Sequence, residues 1–390
     1  MNEAAVVQRV HTFLSTQGIE GVRTSRLFTD PHPTLIGFPS LKPFQRFSLD
    51  FDDFAVHPDL LGQETGSESL IAVEAKGGND LLKGLAQAEI YQHGVQRSFL
   101  AAPAAALSDT LVNMARAKEV GILSVQESVQ AIYVPQARRP FNRFYNALLA
   151  DLTSAAYVNE SGTFVYNLPT HYLVWATALR PGSGYTLTEA RTRLGPFPIP
   201  GDGRYALRGA QKLGLLRIDG HQARLTDIGA AVRDLLPATL LDWTDIHRRL
   251  TSPGSRTTLH DEHRSAAAAL KLLLLQDALV RLVMEGLHLG DPAGSSFDQL
   301  AAACGTIDPR RTAIFFLKPQ AAARWVGRDG RVNWHEVPGE DYRSTTFFQH
   351  KSVLKHAGLI AAGALGGASA KHYDPRKDFW ALRPTPPPPP

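Results

Sequence analysis

One cysteine, Cys304, stands in a chain of 390 residues. That excludes a disulfide scaffold and a multi-thiolate zinc site, and it fits a reducing cytoplasm. Long apolar runs are missing too. The longest, Ala266–Leu275, is interrupted by Lys271, well short of the roughly 18–20 residues a membrane helix needs. The first residues lack a basic stretch followed by an apolar core, so no secretory signal is expected. There is no GxxxxGK[ST] loop for a nucleoside triphosphate and no GxSxG nucleophile elbow. Charge of one sign is scarce as well. The 41 Lys+Arg against 37 Asp+Glu give a net charge of +4, too small to imply a nucleic-acid partner by itself. What is present is a globular composition, 44% hydrophobic and 20% charged, which excludes a largely disordered chain.

The pattern along the chain separates three regions and a tail. Residues 1–135 alternate helix and strand signals. Glu3–Gly18 has an apolar stripe of helical period, followed by a Pro/Gly-rich loop over 30–43 and an alternating segment over 46–54. Leu70–Lys76 reads as a buried strand, 80–92 as a helix, 97–102 as a strand, 107–118 as a helix, 122–125 as a strand and 131–134 as a further short strand. This predicts an α/β domain with a central mixed sheet flanked by helices. Residues 136–240 give helices near 141–152, 187–194 and 205–213. A hairpin turning on Asp219-Gly220 and a helix over 227–236 follow. Residues 241–383 are helical at first and then mixed, and 384–390 is a proline tail that cannot enter a core. The charge follows this division. Residues 1–150 hold 13 basic and 15 acidic residues, whereas 151–240 hold 9 and 7 and 241–390 hold 19 and 15.

The residues that carry chemistry are His57-Pro58-Asp59-Leu60-Leu61-Gly62 and Val73-Glu74-Ala75-Lys76. Asp59 is expected to end a strand-like segment. Glu74 and Lys76, two apart in a strand, share one face. A carboxylate and an ammonium in an otherwise apolar strand are costly unless paired or bound to a metal. Two carboxylates suit Mg²⁺, with Mn²⁺ as a substitute. Such a metal with a lysine beside it is equipment for phosphodiester hydrolysis. The alternative is a surface ion pair between Glu74 and Lys76, with Asp59 capping a turn. Asp53 is a second candidate in place of Asp59, although Asp50, Asp52 and Asp53 read better as solvated strand-end residues. His57 reads as a polar strand residue, or as a group touching phosphate.

PDLLG followed by VEAK resembles the PD-(D/E)XK nuclease superfamily, whose fold is that of many restriction enzymes. The resemblance extends through Gly84–Tyr91, Ser98–Pro103 and Val120–Val125, about the first third of the chain. It implies a restriction-endonuclease-like fold with Asp59, Glu74 and Lys76 catalytic and Gln87 auxiliary. Asp59 and Glu74 would hold the metal, and Glu3 would stand where some members add an acid. It also implies a DNA endonuclease of restriction, phage defence or repair, often a homodimer.

The middle region has the order of a winged helix-turn-helix. Its second helix would carry Arg204, Arg208, Gln211 and Lys212 toward the major groove. Its wing would carry Arg217 and Arg224, with His221 and Gln222 near the tip. A second winged helix is a possible reading of the C-terminal region. His260-Asp261-Glu262-His263 reads as a solvated helix cap rather than a metal cluster, and Trp325, Trp334 and Trp380 read as core residues. The sequence therefore predicts a Mg²⁺-dependent DNA endonuclease, cytoplasmic and without a membrane span. The rival is a DNA-binding regulator built on an inactive nuclease scaffold.

Overall fold

The computed structural model describes residues 1–384 except 36, 161–163, 220, 221, 255, 292, 328–330, 362 and 368. The proline tail beyond Pro384 and the expected wing-tip residue His221 lie outside the described residues. The chain forms two compact units, one of residues 1–156 with 319–330, the other of 157–318 with 331–390. The regions read from sequence as 136–240 and 241–383 both fall mainly within the second unit.

In the first unit, helix α1 (Glu3–Thr16) is capped by Asn2, whose side chain accepts the Ala5 N–H, and it buries Val6, Val7, Val10 and Leu14. There follow β1 (Thr24–Thr29), β2 (Leu49–Asp50), β3 (Ala55–Val56), β4 (Leu60–Glu64), β5 (Leu70–Ala75), α2 (Leu81–Tyr91), β6 (Arg97–Pro103), α3 (Asp109–Ala117), β7 (Gly121–Val125), β8 (Val129–Tyr133) and α4 (Asn142–Glu160), whose last residues are grouped with the second unit. The strands β1-β4-β5-β6-β7-β8 make one six-stranded sheet in that order. The pairs β1/β4, β4/β5 and β7/β8 are antiparallel, while β5/β6 and β6/β7 are parallel. This is the expected mixed sheet flanked by helices.

Every residue of β5 is buried, as a central strand covered on both faces requires. Its odd positions Ile71, Val73 and Ala75 join the core under α1. Its even positions face the other way, where α2 packs on β5 and β6. Two strands of this six-stranded sheet went unread in the sequence, β1 and β4. The ladder of β4 begins at Leu60, paired with Val73. Asp59 therefore precedes a strand instead of ending one.

In the second unit, α5 (Thr170–Ala178) leads to β9 (Gly184–Thr186), α6 (Leu187–Thr192), α7 (Arg204–Lys212), β10 (Leu216–Asp219), β11 (Gln222–Leu225) and α8 (Asp227–Ala231). The sheet order is β10-β11-β9, all antiparallel. A capping box between Thr186 and Glu189 starts α6. Next come α9 (Leu240–Thr251), α10 (Leu259–Glu262), α11 (Arg264–Leu274), α12 (Ala278–Leu289), β12 (Ser295–Ser296), α13 (Phe297–Ile307) and α14 (Pro309–Phe316). Helix α15 (Pro319–Trp325) belongs to the segment grouped with the first unit. The chain closes with α16 (Lys351–His356) and β13 (Phe379–Trp380), the latter paired with β12 over two residues.

The C-terminal part is organised around Phe297, with Phe316, Tyr342, Phe347 and Trp380 within 6 Å of its ring centre. Trp334 and Trp380 are buried, as the sequence suggested. Beside this aromatic cluster lies a buried ion pair, Lys351 with Asp378 at 2.5 Å. Asp378 also accepts from Tyr373 Oη and Trp380 Nε1, and Lys351 Nζ also donates to the carbonyls of Ala364 and Phe379. All three ammonium protons thus have acceptors. Removing one partner leaves the other buried and uncompensated, which costs about 3–5 kcal/mol. Asp378→Ala should lower unfolding stability by about that amount in urea titrations. A loss below about 1 kcal/mol would mean that water reaches Lys351 once the partner is gone.

Candidate active site and nucleic-acid interface

Strand register builds the site. Leu60 pairs with Val73 across β4 and β5, so one further step sets Asp59 opposite Glu74. Thr29 pairs with Leu60 across β1 and β4, so the next step sets Asp30 opposite Asp59, and the Asp30 N–H donates to the Asp59 carbonyl at 2.9 Å. Directly opposed residues on neighbouring strands share a face. Asp30, Asp59 and Glu74 thus form a row of three carboxyl groups on the α2 side of the sheet.

Each carboxyl in the row is held differently. Asp30 is neutralised by its own guanidinium, with Arg46 donating Nε and Nη2 to its two oxygens at 2.8 and 2.9 Å. This is the bidentate arrangement that suits arginine. Glu74, 3% exposed, receives Lys76 Nζ at 2.6 Å on one oxygen and Tyr91 Oη at 2.5 Å on the other. Tyr91 Oη also lies 2.8 Å from the His57 carbonyl. Asp59 accepts only the backbone N–H of Ala75, at 2.7 Å, among the described residues. Lys76 therefore bonds Glu74, and only its charge acts on Asp59.

Burial is the largest cause of a strongly raised Asp59 pKa, and the Glu74 charge adds to it. The Ala75 N–H and Lys76 offset only part of this. Glu74 is raised as well, by burial first, against the pull of Lys76 and Tyr91. Burial works against the charge on Lys76, yet Glu74 and Asp59 outweigh it and hold the ammonium protonated. The Glu3 carboxylate, at the start of α1, raises both acids further.

Two glycines keep this arrangement open. A Cβ on Gly77 would come within 2.9 Å of the Glu3 backbone nitrogen, so the turn after β5 admits α1 only without a side chain. A Cβ on Gly84 would sit 2.8 Å from Lys76 Cγ and 2.9 Å from Leu100 Cδ1, so α2 leaves that space to the lysine stem. Beside Lys76 opens a groove of about 460 Å³, lined among others by Glu3, Asn79, Asp80 and Lys83.

The expected residues fall into place unevenly. Asp59, Glu74 and Lys76 are together, with Glu3 at the same end of the sheet. Gln87 lies on α2 between Gly84 and Tyr91 in the helical repeat, and its buried Oε1 has no hydrogen-bond partner among the described residues. His57 contributes its carbonyl, while its ring bonds the Phe47 carbonyl at 3.1 Å. Asp52 and Asp53 are exposed in the turn between β2 and β3, away from the row. Sequence reasoning missed the Asp30–Arg46 pair and the bond from Tyr91 to Glu74. The first depends on pairing between distant strands. The second was signalled only by a tyrosine at the end of the helix that follows.

In the second unit α7 presents Arg204, Arg208 and Gln211 to solvent and buries Ala206, Leu207, Gly209 and Ala210. Arg204 pairs with Asp202 at 2.6 Å. Arg217 and Arg224 are exposed and lie directly opposite each other on β10 and β11. Like charges in that relation repel.

Lys212 corrects the sequence reading. Its side chain is only 2% exposed and its Nζ lies 2.7 Å from Asp277, so it cannot reach a phosphate from this position. Its place beside the buried face of α7 turns it inward, where Asp277 compensates the charge. The His260–His263 segment does serve as caps. Asp261 completes a capping box with Thr258, and His263 accepts the Ala266 N–H at the start of α11.

Comparison with protein-family models, curated proteins and solved structures returns no match for this chain.

The raised Asp59 pKa has a definite consequence for stability. A carboxyl whose pKa is raised by folding contributes fully at low pH, and its contribution fades as pH rises through the folded value. Asn keeps an oxygen for the Ala75 N–H and removes the charge. Metal-free Asp59→Asn should therefore melt about 2–4 °C above the wild type at neutral pH, with the gap closing on acidification. Equal or lower melting at neutral pH would show that neighbouring groups stabilise the ionised form.

Proposed function

We propose that this chain is a metal-dependent nuclease acting on DNA. The first unit would hydrolyse phosphodiester bonds, and the segment from α5 to β11 would hold the duplex. The observation that carries the reading is the convergence of Asp59, Glu74 and Lys76 at the end of two paired strands. There two carboxyls, Glu74 buried and Asp59 half-buried, lie beside a single lysine that lines an open groove. The order helix, three antiparallel strands, helix, parallel strand is what the resemblance to PD-(D/E)XK nucleases implies. The order α5, β9, α6, α7, β10, β11, with β11 between β9 and β10, supports the winged-helix reading. The stripe Arg204, Arg208 and Gln211, with the opposed pair Arg217 and Arg224, supports contact with an anionic duplex.

The residues fit a divalent cation. Asp59 carries a single neutral hydrogen bond, and its ionised form is disfavoured beside Glu74, a cost that a cation between them would relieve. Mg²⁺ takes one or two carboxylates and keeps its remaining waters. When bound at Asp59 and Glu74 it would activate a nucleophile and stabilise charge on a phosphoryl oxygen.

The chain's own groups do the rest. Lys76, fixed by Glu74 and by the space at Gly84, holds a protonated ammonium at the mouth of the groove, where it stabilises the oxyanion and orients the attacking water. Tyr91 fixes the second oxygen of Glu74. Gln87 Oε1, buried and without a partner among the described residues, can accept a hydrogen bond from a water in the site.

Plasmid cleavage tests this. The wild type should cut with Mg²⁺ or Mn²⁺ and stop with EDTA. Lys76→Ala should lose at least about 100-fold in rate while keeping duplex affinity. Because both carboxyl pKa values are raised, the rate should climb with pH as Asp59 and Glu74 lose their protons. Duplex binding without cutting under every divalent metal tried would leave the regulator reading in its place.

A further inference from the structure

We propose that a pocket between α10, α16 and the C-terminal segment of the second unit is a phosphate-binding site. The pocket has a volume of about 240 Å³, and its lining includes Arg256, Thr258, Asp261, Lys355 and Arg383. These residues come from three stretches far apart in sequence. Arg256 precedes α10, Lys355 lies on α16, and Arg383 follows β13. Backbone and side-chain bonds hold α10, α16 and the segment after β13 together. The Arg383 backbone N–H donates to the Leu359 carbonyl at 3.1 Å, and Ala361 bonds Ala381 at 2.9 Å. His356, on α16, accepts the Leu259 N–H at 2.9 Å and so ties α16 to the start of α10.

The charge is unbalanced. Asp261 is the one acid among the named lining residues, and it is already saturated. One oxygen takes the Thr258 N–H and hydroxyl at 2.9 and 2.7 Å, and the other takes Arg383 at 3.2 Å. Its ionised state is favoured by those bonds and by Arg383 against the effect of burial. Among the described residues neither Arg256 nor Lys355 has an ion-pair partner.

Three cations against one spent carboxylate leave a pocket that attracts an anion. Two guanidinium groups and an ammonium around a small cavity match the several oxygens of a phosphate. The neighbouring imidazoles add no charge. Burial, with Lys355 nearby, lowers His356 to about 4, and burial with Arg383 close by lowers His260.

The phosphate belongs either to a nucleic-acid backbone or to a free phosphate compound. The first source rests on the DNA reading above; the second does not. The experiment uses the full chain in EDTA, so that cutting plays no part and a failed cleavage assay leaves it intact. The wild type is compared with Arg256→Gln/Lys355→Gln for binding of a short DNA duplex over a range of salt concentrations. Thermal melting of both is followed with inorganic phosphate and pyrophosphate.

For a backbone phosphate, the slope of log affinity against log salt should become shallower by about 1 in the double variant. The charge-conserving Arg256→Lys/Lys355→Arg should keep the wild-type slope. For a free phosphate, the wild type should melt higher with phosphate or pyrophosphate and the double variant should not. An unchanged slope together with no phosphate-dependent melting shift overturns the proposal.

Discussion

Glu74 is buried at the end of a strand that is otherwise apolar, with a second carboxyl, Asp59, on the neighbouring strand. The first unit is arranged around that constraint. An isolated buried carboxylate is too costly to keep, so the fold surrounds Glu74 with Lys76 and Tyr91 and screens Asp30 with Arg46. Gly84 leaves room for the lysine stem, and Gly77 lets α1 bring Glu3 to the same end of the sheet. The core under α1 supplies the apolar burial that makes this expense tolerable. Asp59 alone is left under-compensated. The proposed cation would supply the missing compensation.

The second unit shows the contrast. There Lys351 and Asp378 are buried with every donor and acceptor satisfied, and the result is scaffold. Lys212 and Asp277 form another buried pair, and Asp277 also caps α12 through the N–H groups of Leu279 and Val280. Charges that remain at the surface are of a different kind. Arg208 and Gln211 face solvent on α7, and Arg217 and Arg224 repel each other across the β10/β11 pair of a three-stranded sheet. Repulsion of that sort is easily maintained when a polyanion occupies the face.

Local chemistry was legible in the sequence where a short pattern decides it. The apolar run 70–73 announced a central strand, and the spacing of Glu74 and Lys76 announced a shared face that their 2.6 Å contact bears out. The helices at 81–91 and 109–117 followed from their periodicity. Strand β4 was hidden because Gly62, Gln63 and Glu64 break its apolar run, although they pair across to β1 and β5. Asp30 lay in a segment read as a Pro/Gly loop, and only β1–β4 pairing reveals it beside Asp59. Lys212 was assigned to the surface because its partner, Asp277, comes from a helix far along the chain. Contacts between distant segments set these outcomes, and single-segment patterns carry no trace of them.

The most direct test of the central claim is manganese binding followed by electron paramagnetic resonance on the uncut, DNA-free protein. If Asp59 and Glu74 form a cation site, the wild type should take up Mn²⁺ stoichiometrically, Mg²⁺ should displace it, and Asp59→Asn and Glu74→Gln should each abolish uptake. Uptake unaffected by both substitutions, or none by a folded wild type, would contradict the account.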